Sequence, residues 1–507
     1  MDRRDLLPFG SIGTDIRLSP PEERLVAAAR DGRRWEPLAN LDGVDLPKQA
    51  LAFPWLSETG IYTGPLAACS VRAEILYCLL TGARWAEGMA PWPLHGSGLV
   101  LSHAVVHGDL NLEGCEVLAP LHIRNSAIVG HVKLRDAHTR SLGFDGTHLH
   151  SISAQRAQIE GSLCVSKGFF ALGGLDLRDA YIRNRLDARG GRFECWSAFM
   201  LAAERLFGCS LAAQALQVGN DVMLGDGFHA AGSINLMQAD IGGSLNCAGG
   251  IFNPESGKAL CARAASIRGE VLLNDKRYDW QQPAAFGSRE VVEHHPCHFN
   301  GQVDLSEARI GLDLRCDGGW FHTPGAIALE ASGITVGGDV RLGDGCRVDG
   351  KADFTTAQVG RALRCKGGYF YAPGDEALRL KSARIDGGLH VSAVAAFAGG
   401  LNLHRAFARF IDVDESILAT KPAPVANETS SANAMVLDDF VYNRLADANA
   451  PLAVLLAWLD AVTDEGFRPG FRSQPWNQLA QVLRDMGAFE KADAVLEAMS
   501  QRCSIAA

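Results

Sequence analysis

The chain has 507 residues, 47% of them hydrophobic and 21% charged, and 55 are glycine. That is the composition of a folded chain rich in turns, and it excludes a disordered or coiled-coil protein. With 48 Lys and Arg against 58 Asp and Glu, the net charge is −10 and no block of five or six consecutive basic residues occurs, so phosphate-driven nucleic-acid binding is disfavoured.

Residues Met1 to Thr14 lack the continuous apolar stretch of a signal peptide, and nothing marks the chain for export. Residues 1–95 read as a helical N-terminal cap region. Ser19, Pro20, Pro21 and Glu22 spell a capping box with proline in the first turn, followed by the apolar run Leu25, Val26, Ala28, Ala29. A second helix is predicted over Ser70 to Leu80, with Val71, Ile75, Leu76, Leu79 and Leu80 three to four apart and Gly82 at its end. Two such helices suit the open end of a stack, which otherwise exposes unpaired strands and apolar core.

From 96 to 420 one pattern recurs: an apolar residue, two or three glycine or polar positions, then an apolar-x-apolar triplet. Val106 to Leu112, Ile128 to Leu134, Ile159 to Val165, Ile182 to Ala188 and Val218 to Leu224 carry it, and six more instances start at Ile241, Ile267, Ile310, Val336, Val359 and Ile385. Successive starts lie 22, 31, 23, 36, 23, 26, 43, 26, 23 and 26 residues apart. Three strands of about five residues with short turns make a circuit of that size. The predicted fold is therefore mainly β, a right-handed parallel β-helix of about 23–26 residues per three-faced coil with α-helical terminal segments. Leu245 and Leu363 are predicted to face the core, and Gly to make the corners. From Ile310 the spacing alternates 26, 23, 26, and the longer coils begin Cys-x-Gly-Gly-x-Phe at Cys316 and Cys365, as at Cys247 earlier.

Lys421 to Ala434, rich in Pro, Ala, Asn, Glu, Thr and Ser, reads as a linker. Residues 435–507 then read as a helical hairpin region, with helical periodicity over Leu437 to Leu445, Leu452 to Val462, Trp476 to Met486 and Glu490 to Met499. The most hydrophobic run, Leu452 to Leu459, falls far short of the roughly 20 residues that span a bilayer. The 13 cysteines are scattered singly without a CxxC pair, and read as reduced packing thiols of a cytoplasmic protein.

The helix Ser70-Val-Arg-Ala-Glu-Ile-Leu76, the Ala-x-Ile-Gly-Gly-x-Leu coils and the tail from Phe471 to Gly487 resemble a large bacterial family of uncharacterised β-helical repeat proteins often labelled "membrane-associated oxidoreductase". The resemblance covers most of the chain. Members of that family continue from such a tail into transmembrane helices, and none is expected in this chain, which stops at Ala507. No GxGxxG at a strand-to-helix junction, haem CxxCH or flavin signature accompanies the oxidoreductase label.

Three groups of residues are candidates for chemistry. The 43-residue interval holds an insertion, 274–300, that concentrates Trp280, His294, His295, Cys297 and His298. Long insertions on a solenoid sit on its binding face, so a ligand-facing loop is one reading of this one and a solvated insertion the other. His294, His295, Cys297 and His298 are also residue types that hold zinc, although adjacent ligands rarely converge on one tetrahedral ion; no other cofactor is implied. Asp226, Asp275 and Asp344 occupy matched places two coils apart, about 9 to 10 Å by the strand spacing. They are weak catalytic candidates, since an Asx turn explains Leu-Gly-Asp-Gly equally well. Ile251, Trp320 and Tyr369 precede stacked Phe residues, and outward aromatics there suit a sugar or planar ligand as well as an ordinary sheet surface. His103, His107, His122, His131, His148 and His150 are scattered among the early coils and read as packing or surface residues.

With no Ser/His/Asp signature, GxSxG elbow or phosphate loop, the function expected is that of a non-catalytic scaffold or recognition protein. It would bind a protein partner or a small polar ligand along the flank of the coils and through the terminal helices, which also suit a homo-oligomer. The alternative is an enzyme with a groove site on the β-helix that acts on a carbohydrate or another small polar substrate.

Overall fold

A computed structural model describes residues 17–37, 68–85, 89–117, 119–195, 208–275, 297–414, 416, 435–446, 450–460 and 472–506. The chain is a parallel β-solenoid of about 12 turns, mainly β, with its helices mostly at the termini. It divides into two compact units, 1–243 with 253–255 and 244–252 with 256–507, and both are built of the same kind of coil.

In the first unit a coil has four short strands instead of three longer ones. Gln158–Ile159, Leu163–Cys164, Phe170–Ala171 and Leu175–Asp176 pair in parallel with Tyr181–Ile182, Leu186–Asp187, Arg192–Phe193 and Cys209–Ala212 of the next coil. Two residues per side suffice because the chain turns sharply at each corner. Glycine makes only some of those corners. At Ala154–Ala157 and Leu177–Ala180 the last N–H returns to the carbonyl three residues back, at 3.1 Å, with Arg156 and Asp179 in the left-handed region at φ 56° and 57°. Inward positions alternate with outward ones, so each coil adds Leu, Ile, Val and Phe to a continuous core. Phe169, Phe193 and Phe228 meet edge to face there, with centroids 5.7 and 5.0 Å apart.

Helix Pro20–Arg30 starts at the capping box, where Ser19 N–H donates to Glu22 Oε2 at 2.8 Å. Glu22 is only 2% exposed and also accepts from Arg72 Nε at 2.7 Å, which ties this helix to strand Ser70–Arg72. That strand pairs with Val105–His107 and leads directly into helix Ala73–Thr81, so the helical cap is threaded onto the coil it covers.

The second unit explains the 26 and 23 alternation. Trp320–Glu330 pairs with Arg347–Asp353, but Thr323–Ala326 is looped out between the pairs His322–Asp349 and Ile327–Lys351. Tyr369–Arg379 carries the equivalent loop around Pro373 and Gly374, against Ala396–Asn402. Gly350 lies under the first loop at φ 131°, where a Cβ would meet Thr323 O at 2.5 Å, so the short coil requires glycine at that point. Leu245 and Leu363 both face inward and are fully buried. Phe252, Phe299 and Phe321 stack face to face in the core at 4.6 and 5.3 Å.

One helix expected from the sequence is instead a coil. Over Leu437 to Leu445 the apolar spacing that suits a helix also suits a coil corner, Leu437-Asp-Asp-Phe440, between Met435–Val436 and Val441–Leu445. These strands pair with Leu401–Asn402 and Phe407–Ile411, so pairing to the preceding coil decides the outcome. The linker at 421–434 lies outside the described residues. Helix Gln474–Asp485 then covers the last coil: Gln474 and Gln478 donate their side-chain N–H groups to Phe440 O at 3.3 Å and Tyr442 O at 2.7 Å. Leu479 and Leu483 are buried on the covered side, together with Val495 of helix Phe489–Ala506. No helix among the described residues is long and apolar enough to cross a membrane.

Candidate functional site

Residue-by-residue pairing of parallel coils lines up outward side chains in columns at the strand spacing of about 4.8 Å. On one sheet of the second unit a column runs Ile251, His298, Trp320, Arg347, Tyr369, Ala396. Two residues further along each strand, facing the same way, a second runs Asn300, His322, Asp349, Tyr371, Ala398.

The planar groups of these columns brace one another. His298 stacks on Trp320 with centroids 4.4 Å and planes 10° apart, and the Arg347 guanidinium carbon lies 5.2 Å from the indole centroid. Asp349 accepts from Trp320 Nε1 at 2.7 Å, His322 Nδ1 at 3.1 Å and Arg347 Nε at 3.2 Å. Burial by itself would raise this carboxyl, but the three donors hold it below the ordinary carboxylate range. With the Asp349 carboxylate as acceptor, His322 Nδ1 is the donor nitrogen of their contact. The rings left open are Tyr369 and Tyr371, 45% and 46% exposed. A depression of about 450 Å3 beside them is bordered by His322, Pro324, Arg347 and Asp349.

The other sheet of the same unit carries a charged column, Arg315, Arg341, Arg364, His390, Asp412. Beside it a cavity of about 160 Å3 is bordered by Asp317, Arg341, Asp344, Lys366, His390 and Asp412. Asp317 is 4% exposed, and burial lifts its carboxyl to about 6 against the pull of Arg315 and Arg341, with Asp344 adding to the rise. His390 Nδ1 lies 3.3 Å from Asp412, and its ring meets Phe410 edge to face at 5.2 Å.

Of the residues singled out from the sequence, His298, Trp320 and Tyr369 fall in one column. Trp280, His294 and His295 lie outside the described residues. Cys297 is fully buried, with its thiol donating to Cys247 O at 3.2 Å, whereas the neighbouring His298 faces outward onto Trp320. The two side chains therefore lie on opposite faces of their strand, and burial pushes the Cys297 thiol well above its ordinary pKa. Among the described residues no group of three or more metal-ligating side chains comes together.

The three aspartates also differ. Asp226, in the first unit, sits at φ 52° with its carboxylate 3.8 Å from Arg189, as a corner residue does. Asp275 is buried at 2% exposure, and its backbone N–H donates to Asp317 O at 3.0 Å. Asp344, at φ 43°, is the one of the three on the 160 Å3 cavity. Sequence reasoning missed His322, Asp349, Tyr371 and Asp317. The signal for His322 and Tyr371 is present, since each follows an outward aromatic by two residues. Asp349 and Asp317 emerge only from the pairing of one coil with the next.

No family model matches the chain, and neither a curated protein nor a solved structure does.

Proposed function

We propose that this is a non-catalytic recognition protein that binds its partner along the flank of the coils of the second unit, over Arg347, Tyr369 and Tyr371. The observation that carries the reading is the bracing of that face: Trp320 is clasped between His298 and Arg347 and pinned by Asp349, while the tyrosines beside it stay open. Rigid aromatic and arginine side chains lose little entropy on binding and are the residues on which interfaces concentrate their energy. The C-terminal helices, engaged in covering the last coil, support a capping role more than a partner-binding one.

The test is a ligand screen by thermal shift on the full chain, with each stabilising compound recovered and weighed by mass spectrometry. Compounds recovered unchanged, with stabilisation lost in Arg347→Glu, support recognition. A compound recovered as product excludes the non-catalytic reading.

One observation favours an enzyme as the second reading. A buried carboxyl that titrates near 6, beside an exposed Asp344 and a His390–Asp412 pair in one cavity, is a pattern that acid-base catalysis uses. Turnover abolished by both Asp317→Asn and Asp344→Asn would favour it.

A further inference from the structure

We infer that the partner of this face is a neutral carbohydrate chain seated on Tyr369 and Tyr371, an assignment that rests on the recognition reading. The sequence points to Trp320 as a stacking platform, but the structure removes it from that role. Both faces of its indole are taken, by His298 of the preceding coil and Arg347 of the following one, and its N–H is spent on Asp349. Trp320 is a buttress. The ladder of large side chains then ends abruptly: beyond Tyr369 and Tyr371 the next coil presents only Ala396 and Ala398. Ala398 is buried but Ala396 is half-buried, so the rung next to Tyr369 is open, with Tyr371 beside it.

Several features choose the occupant. The depression runs from the coil of His322 and Pro324 to that of Ala396, three coil spacings, or about 14 Å. That suits an extended chain of rings, and about 450 Å3 lies in the range of small-ligand sites. Between the apolar Pro324 and Ala396 its lining carries tyrosine hydroxyls, the Arg347 guanidinium and the His322 imidazole as hydrogen-bonding groups for a hydroxyl-bearing edge. The formal charges cancel, because Arg347 is paired with Asp349 at 3.2 Å, so the face has no surplus charge to demand an ionic ligand. Tyrosine rings supply the apolar surface that the C–H face of a pyranose needs. A flat heterocycle would use the rings but leave most of the rim unpaired, which is costly.

The test is isothermal titration of the full chain with cellohexaose, maltohexaose, laminarihexaose and chitohexaose, with hexagalacturonate and adenosine as contrasting probes. Binding by at least one neutral hexasaccharide is expected, weakened about tenfold by each of Tyr369→Ala and Tyr371→Ala and largely kept by Tyr369→Phe. Both tyrosines are exposed, so unchanged melting of the variants will show that the fold is intact. Hexasaccharide binding that survives the double alanine variant overturns the assignment, as does the absence of hexasaccharide binding. If adenosine or hexagalacturonate binds in place of the neutral hexasaccharides and depends on the tyrosines, the neutral-carbohydrate assignment falls while the recognition reading stands. Shortened sugars in the recovered sample sink the non-catalytic reading as well.

Discussion

Replacing Asp317 with Asn tests whether the charged cavity of the second unit stores a buried acid. The carboxyl rises from an ordinary 3.8 to about 6, with burial the leading cause. A folded state with the higher pKa binds the proton more tightly than the unfolded chain does, so stability from this group is fully present below about 3.8 and is lost as pH climbs through about 6. At 1.36 kcal/mol per pH unit the loss is about 3 kcal/mol. Because Asp317 is 4% exposed, solvent screening takes little from that figure. In Asp317→Asn the loss disappears, while Asp313 and Asp339 remain beside Arg341 at 3.6 and 3.8 Å. Urea unfolding of wild type and variant at matched pH values cancels the other carboxylates, which both proteins share. The variant should gain on wild type by about 2 kcal/mol between pH 4.5 and 7.5, the rest of the loss falling below pH 4.5. A difference that stays flat over that range would refute the buried acid, and a variant equally destabilised at every pH would show that Asp317 serves only as the counter-charge of Arg315 and Arg341.

Leu363→Asp or Leu245→Asp puts a lone charge into a fully buried column; a loss of several kcal/mol and of soluble folded protein is expected, and wild-type melting of either variant would refute the inward register. Removal of residues 472–507 uncovers the buried Phe440, Tyr442 and Leu445 of the last coil, so the truncate should aggregate during size-exclusion chromatography; a monodisperse truncate would refute the capping role. Deletion of Arg277 to Glu293 should leave circular dichroism and melting close to wild type, since loop length adds little to the entropy of closure and coils depend on their neighbours. A melting loss of more than a few degrees would show that the insertion is part of the packing.

How much of this was legible in the sequence follows from the distance over which each feature is determined. Coil identity is local: Ile241-Gly-Gly-Ser-Leu-Asn-Cys247 states its own turn and inward triplet, so the β-helix, the burial of Leu245 and the 26 and 23 alternation are all readable from one strand of text. The shape of the coil is less so, because two-residue strands with Arg156 or Asp179 in the left-handed corner leave no glycine to mark the turn. Leu437 to Leu445 was ambiguous for the same reason, its apolar spacing serving helix and corner alike until Phe407–Ile411 offers a strand to pair with.

The candidate site lies at the far end of that scale. Trp320 and Tyr369 were visible as outward aromatics, but whether each is a platform or a buttress depends on what the coils before and after place beside it. A His298 below and an Arg347 above make Trp320 a wall, whereas an Ala396 makes Tyr369 a ledge. In a solenoid the chemistry of a face is thus written across coils, here at separations of 22 and 27 residues, and not along the strand. Asp349 shows the consequence: it lies 29 residues from Trp320 and 27 from His322, in a segment with no motif of its own, yet it fixes both. Loss of that one carboxylate would free the indole, the imidazole and the guanidinium together, so the face would lose its rigidity while every ring it presents remained in place.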